Sequence, residues 1–174
     1  MKKLVLIYGL LAAAVIALLS YWVLWTAGDD SSHYLSEWLG YLIMVLGLSV
    51  IFVAVKQHRD HNLGGIIGFG KAFQVGLFIT LMAALIYVLA WEYYYRSEGQ
   101  DFIANYQSTL VENMREEGSS EAEIQKKQQE LTDFARLYDR FYFRAFITLL
   151  EILPVGLLIA LFSAALLRTQ GRGR

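Results

Sequence analysis

The chain has 174 residues, 56% hydrophobic and 18% charged, with a mean hydropathy of +0.41 and a formal net charge of −1. A soluble domain carries about 25% charged residues and spreads its apolar ones in short periodic patterns. Here the apolar residues form long uncharged blocks, which excludes an ordinary water-soluble globule, and the lack of cysteine excludes disulfides, thiol nucleophiles and thiolate metal sites.

Four blocks dominate. Leu4 to Thr26, Trp38 to Val55 and Ala72 to Trp91 hold no charge, and Phe141 to Leu167 holds only Arg144 and Glu151. A bilayer core about 30 Å thick needs about 20 helical residues. The blocks therefore predict four membrane-spanning helices over residues 4–26, 36–55, 72–95 and 141–167. The start "MKKLVLIYGLLAAAVIALLSYWVLWTAG" reads as the first span rather than a cleaved leader. Its apolar stretch is too long, and Trp25-Thr26-Ala27 lacks the small residue a cleavage site wants.

Charge in the connections predicts orientation. Lys2 and Lys3 precede the first span, Lys56, Arg59 and Lys71 bracket the second connection, and Arg168, Arg172 and Arg174 follow the last span. The first connection has Asp29, Asp30 and Glu37 and no Lys or Arg. The positive-inside rule then puts both termini and the second connection in the cytoplasm.

Small residues recur at four-residue spacing in three spans: Gly9, Ala13 and Ala17 in the first, Gly76, Thr80 and Ala84 in the third, Gly156, Ala160 and Ala164 in the fourth. Such rows let helix backbones approach closely in lipid. They predict the contacts of a compact bundle, with a dimer face as the alternative use.

Residues 96–140 are polar but keep helical apolar spacing. Phe102, Tyr106, Leu110 and Met114 form one stripe, and Ile124, Leu131, Phe134, Tyr138 and Phe141 form another. Gly118 breaks the run, and Ser120-x-x-Glu123 is a capping box that starts a new helix. The prediction is an extracytoplasmic helical hairpin between spans three and four, its second helix running straight into the fourth span because no Gly or Pro lies between Ser119 and Pro154.

Several constellations invite a chemical reading. Gly65-Ile-Ile-Gly-Phe-Gly70-Lys71-Ala72 has phosphate-loop spacing. Ala72 offers no hydroxyl for magnesium and no strand precedes the loop, so no nucleotide and no nucleic acid are expected as partners. The expected role is a turn dipping Ile66, Ile67 and Phe69 into the interface, with Lys71 and Gly70 a candidate lipid-headgroup contact at the start of span three. His58 and His61 flank Asp60, but two ligands on one loop make a poor metal site. They are expected to be solvated, and His33 suggests nothing specific.

Glu151 stands about 10 Å inside the outer end of the fourth span, counted from Arg144. Arg140, Arg144, Thr148 and Glu151 form a polar stripe, and Pro154 frees the carbonyl of Leu150 so that the helix can kink. A lone carboxylate in lipid is costly, so Glu151 is expected to face inward toward tyrosines such as Tyr21, Tyr41 or Tyr87. Glu151, Thr148, Arg144 and Pro154 are thus the candidate intramembrane polar site, either a hydrogen-bonded clamp or a proton- or cation-binding site. Glu92 is expected to pair with Arg96 or Arg144. No catalytic set assembles, and no cofactor or metal ligand set is predicted.

The stretches "VAVKQHRD", "GGIIGFGKAF" and "LEILPVGLLIALFSAALLR" resemble the bacterial membrane proteins grouped as domain-of-unknown-function family 4199. The resemblance runs over nearly the whole chain, with GKAF and LEILPVG its most specific parts. In that family a tyrosine is usual where His58 stands. The resemblance implies a bacterial inner-membrane setting and carries over no catalytic residue. The sequence therefore reads as an all-α, integral membrane four-helix bundle with an extracytoplasmic hairpin. Its expected role is that of a non-enzymatic component working by helix–helix or protein–protein contact, as a homo-oligomer or with a membrane-protein partner. A small transporter or ion-coupled subunit using Glu151 is the alternative.

Overall fold

A computed structural model of the chain describes residues 1–27 and 37–169. The acidic first connection and the terminal Arg172 and Arg174, which enter the orientation argument, lie outside the described residues, as do the side chains of Phe102 and Tyr106. The described chain is all-α: α1 Lys2–Ala27, α2 Glu37–Leu48, α3 Val50–Gln57, α4 Phe69–Tyr94, α5 Gln100–Glu116, α6 Glu121–Tyr138 and α7 Phe141–Leu167, with one-turn π-helices at His58–Asn62 and Tyr95–Gly99. Four stretches are long and apolar enough to cross a membrane: Lys2–Val23, Trp38–Asn62, Phe69–Ser97 and Phe141–Leu167. The residues fall into two compact units, Met1–Tyr87 with Leu149–Arg174, and Val88–Thr148.

The first unit is built on small residues. A Cβ added to Gly76 would lie 2.7 Å from Ala160 Cβ, and one added to Gly156 would overlap the side chain of Thr80. Moving four residues along α4 thus matches moving four back along α7, as antiparallel helices at close approach require. The rows in spans three and four face each other. The first-span row behaves differently. Gly9 meets Met82 at 2.5 Å for an added Cβ, and Ala13 is buried, but Ala17 is exposed. Ala12 and Ile16 carry the contact instead, against Gly47 of α2. The core of this unit runs through Ile16, Leu48, Ile51, Val55, Ile67, Val75, Ile79 and Ile152. Between lipid-embedded helices such packing stabilises through dispersion and shape rather than water release.

The second span is interrupted. The Ser49 hydroxyl donates to the carbonyl of Leu46 at 2.6 Å, and Ser49 separates α2 from α3. The connection after it is more ordered than a mobile turn. Gly64 and Gly65 hold φ of 61° and 88°, conformations that suit glycine. Ile67 is buried and exchanges bonds with Thr169: Thr169 N–H donates to the Ile67 carbonyl at 3.0 Å, and Ile67 N–H donates to Thr169 Oγ1 at 2.7 Å. The expectation that Ile66, Ile67 and Phe69 all dip outward is thus corrected. Ile66 and Phe69 are exposed, while Ile67 is clasped into the core.

In the second unit, α5 and α6 form the hairpin. Gly118 turns the chain at φ 78°, and Ser120 caps α6 with both halves of the capping box in place. Gln107 Nε2 reaches the carbonyl of Leu131 at 3.0 Å, tying the two helices together. Ile124 and Tyr138 are buried, whereas Phe134 and Phe141 of the same stripe remain exposed. The expectation of one uninterrupted helix through residues 119–167 does not hold. α6 ends at Tyr138 and α7 begins at Phe141. The reason lies in the Tyr138 carbonyl, which accepts from Arg144 Nη1 at 2.7 Å, while Arg140 N–H turns back to Leu137 at 3.0 Å. A side chain has taken an acceptor from the helical ladder without any Gly or Pro.

Candidate functional site

The best-formed polar cluster of the described residues lies in the second unit, where the last turns of α4 and the first turns of α7 carry aromatic and charged residues together. Arg144 is its centre and is only 4% exposed. Its Nε and Nη2 donate to Glu92 Oε2 at 2.9 and 2.6 Å, and its Nη1 donates to the Tyr138 carbonyl. Its guanidinium carbon lies 3.9 Å from the centre of the Tyr95 ring. A desolvated guanidinium over an aromatic face gains from the ring quadrupole, and the two donations to one carboxylate oxygen are charge-assisted.

Glu92 is shared. Its other oxygen, Oε1, accepts from Arg96 Nε at 2.7 Å. Both arginines named for Glu92 from the sequence therefore hold it at once, the buried one from α7 and an exposed one four residues along its own chain. Tyr95 donates its hydroxyl to Asp139 Oδ1 at 2.6 Å, and Trp91 Nε1 donates to the Tyr138 hydroxyl at 2.8 Å. Tyr95 and Tyr138 meet edge to face at 5.6 Å. The result is a network in which each aromatic ring packs and each of its polar tips is bonded. Above it opens a cleft of about 440 Å³, lined by Glu92, Tyr95, Arg96, Asp139, Phe141 and Arg144.

The sequence-derived stripe is only partly gathered here. Thr148 is buried, and its hydroxyl donates back to the Arg144 carbonyl at 2.9 Å, a local helix bond. Arg140 is exposed and does not join the buried face. In the other unit, Glu151 is half-buried and Pro154 is exposed within an unbroken α7. Glu151 is not without a partner. Of its expected tyrosine partners, Tyr21 is 70% and Tyr41 44% exposed, while Tyr87 is half-buried. Gly70 and Lys71 stand exposed in the first turn of α4, so the Gly-Lys pair is helical and does not form a loop around an anion.

His58 overturns its expected solvation. It is 5% exposed, while His61 is exposed, so the two do not share a surface. Tyr95, Asp139, Tyr138 and Trp91 were not singled out from the sequence as site residues. The available signal was the run of aromatics at 91, 94 and 95 beside Glu92, matched by Phe134 and Tyr138 ahead of Arg144. A buried arginine needs a counter-charge and polarizable walls, and those residues supply both.

Comparison with known proteins gives the chain its family. The family model described as "Protein of unknown function (DUF4199)" matches residues 6–169, and the chain belongs to that family. No curated protein and no solved structure matches it. With four helices of spanning length and composition, it is a multi-pass membrane protein.

Proposed function

We propose that this protein is a non-enzymatic component of a bacterial inner membrane, acting through contacts of its helices with a second copy or a larger membrane protein. In this reading both termini face the cytoplasm and residues 96–140 stand outside. The observation that carries it is the closure of the buried charges on one another. Arg144 spends its bonds on Glu92 and the Tyr138 carbonyl, and Glu92 has both oxygens engaged. A general base or nucleophile needs a group free to reach substrate. The buried groups of this cluster act instead as a fastening that gives the hairpin a fixed base.

The absence of native cysteine makes one experiment sufficient. Single cysteines replace Ser120, Gln129 or Asn62, and intact cells are treated with an impermeant thiol-to-amine cross-linker. Ser120 and Gln129 should react and give adducts of one discrete added mass, while Asn62 stays silent. Reaction at both hairpin positions without any adduct overturns the contact reading. Reaction at Asn62 alone overturns the orientation.

A further inference from the structure

The geometry points to the cleft over the Arg144–Glu92 pair as a binding site for a zwitterion that joins a phosphate to a primary ammonium, with a phospholipid headgroup as its source. Two poles of this cleft are uncommitted among the described residues. Arg96 uses Nε for Glu92, and its side chain is 74% exposed, leaving its Nη donors available. Asp139 uses Oδ1 for the Tyr95 hydroxyl, leaving Oδ2. The floor is less available, because Arg144 is only 4% exposed and is already bonded to Glu92 and the Tyr138 carbonyl.

The charge count selects the ligand. Among the described residues that line the cleft, Arg96 and Arg144 are balanced by Glu92 and Asp139, so this lining is neutral but dipolar. A simple anion would meet Asp139, and a simple cation would meet Arg96. A zwitterion satisfies both poles at once, its phosphate on the planar guanidinium and its ammonium on the carboxylate. A primary ammonium can donate up to three hydrogen bonds toward Asp139, whereas a trimethylated headgroup has no N–H and forfeits that pole. The setting favours a lipid source. Tyr93 is 79% and Tyr142 85% exposed on the two spanning stretches that carry the cleft, as expected of aromatic side chains at headgroup level. A cleft of about 440 Å³ has room for such a headgroup.

The test uses the full chain purified in detergent. Phosphatidylethanolamine, phosphatidylcholine, phosphatidylglycerol or soluble phosphoethanolamine is added, and binding is followed by native mass spectrometry and by the thermal midpoint. Phosphatidylethanolamine should bind in preference to the other two lipids. Arg96→Gln and Asp139→Asn should each weaken it about tenfold, the loss of one charge-assisted bond. Ser120→Ala, which removes the cap of α6 and touches neither pole, should keep the preference. It serves as the control for variants that merely loosen the fold. Equal binding of the three lipids, strongest binding of phosphatidylglycerol, or a preference that survives both charge variants overturns the proposal. Phosphoethanolamine binding as tightly as the lipid overturns the lipid source.

Discussion

Removing Glu92 should be worse than removing Arg144, although each change deletes the same ion pair. In Glu92→Leu the guanidinium of Arg144 keeps the Tyr138 carbonyl and the Tyr95 ring but stays 4% exposed with no counter-charge. Breaking a buried pair from one side typically costs about 3–5 kcal/mol. In Arg144→Leu the carboxylate of Glu92 keeps Arg96 and stands nearer water, with 13% of its side chain exposed. That retained pair is worth less than about 1 kcal/mol by itself, but it spares Glu92 from being stranded, so the loss should be about 1–3 kcal/mol. The double variant Glu92→Leu/Arg144→Leu removes both charges and should cost less than Glu92→Leu alone, since apolar replacement of both partners is often neutral. The coupling between the two sites is then at least the Arg144→Leu loss, about 1–3 kcal/mol. Equilibrium unfolding in mixed micelles, with rising SDS and tryptophan fluorescence as readout, measures all three. A coupling under about 0.5 kcal/mol, or a larger loss for Arg144→Leu than for Glu92→Leu, would refute the reasoning.

Two other expectations follow from single residues. Gly156→Ala should destabilise by about 1–3 kcal/mol because its Cβ would overlap Thr80; adding Thr80→Ala should restore only part, since Thr80 Cβ at 3.0 Å remains. Gly70→Ala, with nothing within 4 Å, should instead be neutral or stabilising by about 0.5–1 kcal/mol, and the same unfolding assay would expose a reversal of this order. At the hairpin, the bonds from the Ser120 hydroxyl and backbone N–H to Glu123 hold that carboxyl below its ordinary value of 4.5. A depressed carboxyl stabilises the start of α6 above pH 4.5 and loses that contribution as pH falls through its lowered value. Carboxyl carbon-13 titration should find Glu123 below 4.5 and rising in Ser120→Ala; a midpoint at or above 4.5 in the native chain contradicts the cap.

Which parts of this were legible in the sequence depended on how local their causes are. The uncharged blocks fix spans because length and composition alone decide insertion, and they agree with the four spanning stretches. The capping box was legible because its two halves lie three residues apart. The rows Gly76, Thr80, Ala84 and Gly156, Ala160, Ala164 foretold close helices, and spans three and four do interlock there. The row Gly9, Ala13, Ala17 misled at its end, since small residues permit close approach without saying which helix arrives. The junction at Asp139 was illegible because no helix breaker makes it; Arg144 takes the Tyr138 carbonyl, and that depends on where Glu92 and Tyr95 hold the guanidinium. In the sequence Glu151 is the more conspicuous residue, because a carboxylate well inside an apolar span is the costlier oddity. The better-built network formed nearer the span ends, where aromatics can share the burden.

That network also answers a problem particular to membrane helices. Leucine packed on leucine resembles leucine packed on lipid, so an apolar interface pins helix register only weakly. One turn of slip, about 5.4 Å, would cost such a face little. It would carry Arg144 away from Glu92 and from the Tyr95 ring together, leaving a guanidinium in a low-dielectric interior with no counter-charge. The cost of burying the pair is therefore also what makes the wrong register inaccessible. The same side chain ends α6 at Tyr138 through its Nη1, because the captured carbonyl no longer serves the ladder. One arginine thereby sets both where the fourth span starts and how the hairpin's second helix leaves it.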